Sequence, residues 1–139
     1  MALELGNIVG KIGGGGEVEI RNVDIGAAGA AWDDVGELVV TQHSMVSVVA
    51  IFTPTAPTRW GDPTPSIRVL KAGETETVDN SLRGHLSNNS NARNDALSVA
   101  GVLPPGTYTI AVHTHGSNRS FTVSTILISQ TPTTHPSTL

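Results

Sequence analysis

Two histidines stand one residue apart in the segment LPPGTYTIAVHTHG, residues 103–116. On a strand, side chains at i and i+2 leave the same face. His113 and His115 therefore have the spacing of a two-histidine metal clamp. A zinc site needs a third ligand, drawn from His, Asp or Glu when no Cys is present. His43 and His85 exist, but no spacing in the chain brings them near. Thr107, Thr109 and Thr114 surround the pair and give it a solvated character. The expected metal and cofactor complement is none, with His113 and His115 as the candidates should a metal bind.

Other chemistry is thin. Asp33-Asp34 and the Asn- and Asp-rich run 79–95 offer oxygen donors. Calcium needs 6–8 oxygens, and neither stretch has the regular ligand spacing of a calcium-binding loop, so both are read as turn chemistry. The sequence has no Gly-x-Ser-x-Gly elbow and no His-Glu-x-x-His. Gly13 to Gly16 lack the Lys and Ser/Thr of a phosphate loop. With no cysteine in the chain, thiolate sites and disulfides are excluded. Glu17 and Glu19 alternate with Val18 and Ile20, so the two carboxylates are expected on a solvated strand face. The chain is expected not to be an enzyme. Trp32 and Trp60 are its two tryptophans, and both fall in expected loops. A loop tryptophan can stack on a sugar ring or plug the end of a sandwich. Trp60, its neighbour Arg59, and Trp32 are the candidate ligand contacts.

Composition restricts the setting. The chain has 139 residues, enough for one domain with a modest core. Charged residues make up only 14%, against a usual share of roughly 25%. Thr, Ser, Asn and Gly fill the deficit. The net charge is −4, and the eight Lys and Arg are scattered, so no nucleic-acid partner is expected. No stretch reaches the ~18 apolar residues of a membrane span. MALELGNIVGKIGGGG lacks the pattern of a secretory signal. A protein of this kind working outside a cell is expected to leave it inside an assembled particle.

The elements that must position these residues are strands. Tyr108, Ile110 and Val112 alternate with Thr107, Thr109, Ala111 and His113, a period of two. Strands are also expected near 37–42, 45–53, 66–71, 96–102 and 119–129, the last with Phe121 and Val123 in one phase and Ile126 and Ile128 in a shifted one. In 45–53, Val46, Val48, Ala50 and Phe52 share one face while Val49 and Ile51 share the other, so both faces should be covered. Val18 and Ile20 run in opposite phase to Val23 and Ile25, which predicts a bulge near Arg21-Asn22. Residues 54–65 and 79–95 read as loops. The whole is an all-β chain, an antiparallel β-sandwich or jelly roll of about eight strands. Three parts are expected: residues 1–16, a flexible apolar arm with a glycine hinge; 17–130, the sandwich; and 131–139, a Pro- and Thr-rich tail, disordered or extended. The arm's Leu3, Leu5, Ile8, Val9 and Ile12, together with Val49 and Ile51, are the candidate subunit or particle contacts.

The segment ALSVAGVLPPGTYTIAVHTHGSNRSFTVSTILIS, about residues 96–129, resembles the last strands of sandwich modules in bacteriophage tail-fibre, head-fibre and capsid-decoration proteins. There an apolar strand leads into L-P-x-G-T-Y-x-I. It is also similar to bacterial pre-peptidase C-terminal sandwich domains, where GTYTI-x-V recurs. The motif describes a turn and a strand and carries no functional residue. The phage resemblance implies a non-enzymatic structural virion protein, a decoration or minor tail or fibre component made in the host cytoplasm. It implies a homo-oligomer, a trimer foremost, with other virion proteins as partners and a possible surface glycan as ligand. The alternative is a carbohydrate-binding β-sandwich module.

Overall fold

A computed structural model describes residues 8–12, 15–25, 32–54, 66–72, 81–85, 95–113, 115–116 and 119–138. These form β1 (Ile8–Ile12), β2 (Gly16–Ile25), β3 (Asp33–Val40), β4 (Ser44–Pro54), β5 (Ser66–Lys71), β6 (Ser81–His85), β7 (Asp95–Leu103), β8 (Gly106–His113), β9 (His115–Gly116) and β10 (Arg119–Pro132). The first sheet runs β1-β2-β10-β4-β7, with β9 beside β10, and the second runs β3-β8-β5-β6. All pairings are antiparallel. Setting aside the short β1 and β9, eight strands form two four-stranded layers, β2-β10-β4-β7 over β3-β8-β5-β6. Strands adjacent in sequence alternate between the layers through most of the chain, which is jelly-roll connectivity. Among the described residues no helix is long and apolar enough to cross a membrane.

Period-two alternation builds the core. Val46, Val48, Ala50 and Phe52 of β4 point inward, as do Tyr108, Ile110 and Val112 of β8. Ile67, Leu103, Ile126 and Ile128 fill the space between the layers. Fully burying one such aliphatic or aromatic side chain contributes about 1.5–3 kcal/mol. Tyr108 places its hydroxyl where it can still donate, to the Pro104 carbonyl at 2.8 Å, which closes the Pro-Pro-Gly turn. Burial pushes that hydroxyl's pKa up from its ordinary value.

The inward phase of β10 switches between Val123 and Ile126, and the pairing with β4 slips there, leaving Ser124 as the extra residue. Four expectations change. In β2 the slip lies at Val23 and Asp24, opposite Ser124, not at Arg21-Asn22. The apolar Val18 and Ile20 pair with Ser129 and Leu127 on the outer face, while Glu19 pairs with the inward Ile128 and Arg21 with the inward Ile126. Glu19 is thus not a solvated carboxylate: its side chain is 16% exposed, and Arg21's is 14% exposed. The run 79–95, read as a loop, contains β6, which pairs with β5.

Glu19 and Arg21 sit inside because they close a seam. β3 is an edge strand, and its free carbonyls would otherwise be an open template. Arg21 holds Glu19 through Nε at 2.8 Å and Nη2 at 3.3 Å. It also donates to the Val35 carbonyl at 3.4 Å and the Glu37 carbonyl at 2.9 Å. Gln130 of β10 donates to the next alternate carbonyl, Val39, at 3.3 Å. Gly36 makes room: it has φ +115°, and a Cβ there would meet Arg21 Nη1 at 2.8 Å.

The two ends of the chain also lie on sheet edges. Residues 8–12 of the expected arm form β1, paired along β2, with Val9 53% exposed. The tail runs extended along β7. Thr138 N donates to the Val102 carbonyl at 2.8 Å, and Val102 N donates to Thr138 Oγ1 at 2.7 Å. His43 Nε2 donates to the His135 carbonyl, and Thr133 N to the His43 carbonyl at 3.0 Å. Val102, on the outer parity of β7, is buried there while its outer-face neighbours Ala96, Ser98 and Ala100 are exposed.

Candidate functional site

The core uses alternate residues of each strand, so the remaining residues form two outer faces. On the first sheet, directly opposed positions build rows across β2, β10 and β4. Ile20, Leu127 and Val49 make one row. Asn22, Thr125 and Ile51 make the next, and Val18, Ser129 and Ser47 flank the first on its other side. Val18, Ile20, Val49, Ile51 and Leu127 are each half-buried, and Met45 near the end of β4 is 42% exposed. No Asp, Glu, Lys or Arg stands in these rows.

The outer face of the second sheet is different. The register sets His113 opposite Ser66, and Ser66 opposite His85. Trp32 directly precedes β3 and meets His113 edge-on, with ring centroids 5.7 Å apart and planes at 73°. The Arg68 guanidinium lies 4.3 Å from the Trp32 ring centroid, within the range of a cation–π contact. Arg68 in turn stands opposite Ala111 on one side and Arg83 on the other. Trp32, Arg68 and His113 are half-buried. The Nδ1 atom of His113 is buried and has no hydrogen-bond partner among the described residues. Leaving such an atom unsatisfied costs about 1–3 kcal/mol.

The expected candidates divide as follows. Trp32 joins a cluster with Arg68 and His113, a pairing that no sequence spacing announced. Trp60 and Arg59 lie outside the described residues, as do Leu3 and Leu5. Ile8 and Ile12 hold register positions opposite Ile20 and Gly16. Val49 and Ile51 stand on the outer face of the first sheet. His113 and His115 do not share a strand: β8 ends at His113, whereas His115 belongs to β9, which pairs with β10. The i, i+2 rule that would point both rings one way therefore does not apply to them. Among the described residues, no three His, Asp or Glu come together to hold a metal. At the end of the seam, a polar pocket is lined by Lys11, Glu17, Gln42, Ser44, Gln130 and Pro132 among others. Its charged groups, Lys11 and Glu17, pair with each other.

No protein-family model matches the chain, and no curated protein does. Among solved structures, the chain is similar to one in the structure of infectious bursal disease virus, Gx strain. The TM-score is 0.50 at 9% identity, over 95% of this chain and 35% of that one. This chain thus spans little more than a third of the virus chain's length. It is also similar to the carbohydrate-binding module CBM6cm-2 of Cellvibrio mixtus lichenase 5A, solved with cellotriose. There the TM-score is 0.39 at 14% identity, over 93% of this chain and 86% of that one. At such identities the virus likeness speaks for the two-layered jelly-roll fold and for nothing finer.

Proposed function

We propose that this chain is a non-enzymatic structural protein of a virus particle, a bacteriophage decoration or minor tail or fibre component. It assembles as a homo-oligomer, a trimer foremost, through the outer face of its first sheet. The observation that carries this reading is the uncharged row Ile20–Leu127–Val49 with its neighbours Val18 and Ile51. Central strands of a sheet that faced only water would alternate apolar with polar residues. Here β4 and β10 keep Val49, Ile51 and Leu127 on the side away from the core. Neighbouring copies, each contacting the next around a closed ring, supply the cover that the chain's own layers do not. The fold, shared with a chain of a virus structure, is compatible with this role.

Light scattering of the full-length protein tests the reading. A three-chain mass that falls to one chain in Val49→Glu, with an unchanged circular dichroism spectrum, supports it. A parent protein that is monomeric at high concentration removes the first sheet as a self-association surface.

One observation favours a second reading, a carbohydrate-binding module. Trp32 is a half-exposed aromatic ring on the other outer face, flanked by groups that hydrogen-bond. Trp32→Ala should then abolish retention on the recognised sugar. Unchanged retention takes Trp32 out of the contact.

A further inference from the structure

We propose that the outer edge of β7 is a pairing surface for a second copy of this chain, and that residues 133–138 are the strap that keeps it closed. The inference goes beyond the apolar face of the first sheet and does not depend on it: a strand edge, not a sheet face, makes the contact.

The strap starts where β10 ends. Thr133 N donates to the His43 carbonyl and His43 Nε2 to the His135 carbonyl, as the tail passes the residue before β4. It then reaches β7, the last strand of the first sheet. There Thr138 engages both backbone groups of Val102, and Ser137 Oγ donates to the same carbonyl at 3.4 Å. Residues 134–138 are all exposed. Hydrogen bonds at two anchor points, rather than buried side chains, hold the strap down. A segment with few buried apolar contacts opens at low free energy.

Opening uncovers a long edge. Val102 directs its N–H and its carbonyl away from β4, toward Thr138. In an antiparallel ladder that direction recurs at every second residue, so Ser98 and Ala100 direct theirs the same way. Among the described residues, none bonds to those groups of Ser98 and Ala100. The pairing of β7 with β4 runs without a slip from Leu103 to Asp95. From Ala96 to Val102 there is no proline and no charged residue. Native edges are guarded by such residues, by bulges or by a cover. The β3 edge has its cover in the side chains of Arg21 and Gln130. On β7 the described cover is the strap.

Charge and size choose the occupant. The chain carries a net charge of −4, so two copies repel through their charged surfaces. The β7 edge is uncharged, and its outer-face residues Ala96, Ser98 and Ala100 are small and exposed, so a second backbone can come alongside. An edge that pairs antiparallel with its own copy makes a closed two-fold contact. A pairing that includes Val102 needs the place that Thr138 fills, so strap and second copy exclude each other.

Thr138→Pro in the full-length protein tests the proposal. Proline lacks both the N–H and the hydroxyl that hold Val102. The solution mass by light scattering should rise to about twice the parent's. Hydrogen exchange at the Ser98 and Ala100 amides should slow by about tenfold or more. Adding Ser98→Pro should restore the parent's mass, because it removes an N–H on the open edge and leaves the ladder to β4 intact. A Thr138→Pro protein that keeps the parent's mass overturns the proposal. So does a mass increase with Ser98 and Ala100 exchanging as in the parent, or one that Ser98→Pro leaves in place, since either puts the contact elsewhere.

Discussion

The two outer faces of this sandwich rest on one core and have opposite chemistry. On the first sheet the outward residues of β2, β10 and β4 include Val18, Ile20, Leu127, Val49 and Ile51, with uncharged Asn22, Thr125, Ser129 and Ser47 among them. On the second, the outward residues of β8 and β5 include His113 and Arg68, with Trp32 at the sheet's margin. The contrast follows from strand geometry. Inward and outward residues alternate, so the inward set can be fixed by packing while each outward set answers only to what lies outside it. Val48 and Val49 are neighbours in sequence, yet one holds the fold and the other is available to a partner. Outer-face composition is therefore where the two sheets of this molecule differ, and the core tells nothing of that difference.

The largest effect should come from making the first face resemble the second. Val49→Glu puts a charge in the middle of the apolar row, and a charge buried at an interface without a partner is not tolerated. The oligomer should dissociate completely at micromolar protein, measured by light scattering. Thr109→Glu, the equivalent change on the outer face of β8, should leave the mass unaltered. If Thr109→Glu dissociates the protein and Val49→Glu does not, the roles of the faces are reversed.

Next comes the seam that keeps the faces back to back. Arg21 pairs with Glu19 and caps two carbonyls of β3, with both side chains mostly buried. Arg21→Ala leaves a largely buried carboxylate and open edge carbonyls, which should cost about 3 kcal/mol. Urea unfolding measures it. Because the seam joins the sheets, both the solution mass and any sugar retention through Trp32 should weaken together in this variant. A loss confined to one face would show that the seam belongs to that face alone.

How far the sequence could be read depended on whether apolar meant inward. For β4 and β8 it did: the alternation of Val46 to Phe52 and of Tyr108 to Val112 marks the buried face directly. In β10 the shifted phase of Ile126 and Ile128 was visible, and Ser124 is its cause. In β2 the same logic pointed the wrong way. Val18 and Ile20 look like core residues, but the inner positions go to Glu19 and Arg21, whose partners are carbonyls on β3. Those partners lie 14 and 16 residues away in sequence, and a backbone carbonyl carries no residue signature. β6 was hidden for a related reason: SLRGH has no apolar alternation, with Leu82 its one large apolar residue. The Trp32–Arg68–His113 cluster needs β5, β8 and the residue just before β3 brought together by pairing, which composition cannot convey.

The smallest expected effect sharpens the comparison by leaving both faces intact. Tyr108 is on β8, the strand that also bears His113, but its ring points into the core and its hydroxyl donates to the Pro104 carbonyl. Tyr108→Phe removes one buried hydrogen bond and should lower stability by about 1 kcal/mol at neutral pH. Assembly and ligand binding should match the parent. Burial raises the folded-state pKa of this hydroxyl above its ordinary value of 10.0. Its contribution is thus fully present below that pH. Above it, the unfolded chain ionises first, so the parent loses stability as pH rises through the window upward from 10.0. Phenylalanine has no such proton. The stability gap between parent and Tyr108→Phe should therefore shrink between about pH 8 and about pH 11, read from paired urea midpoints. A gap that stays constant would mean that the hydroxyl is solvated in the folded protein, and that the Pro104 end of β8 opens to water.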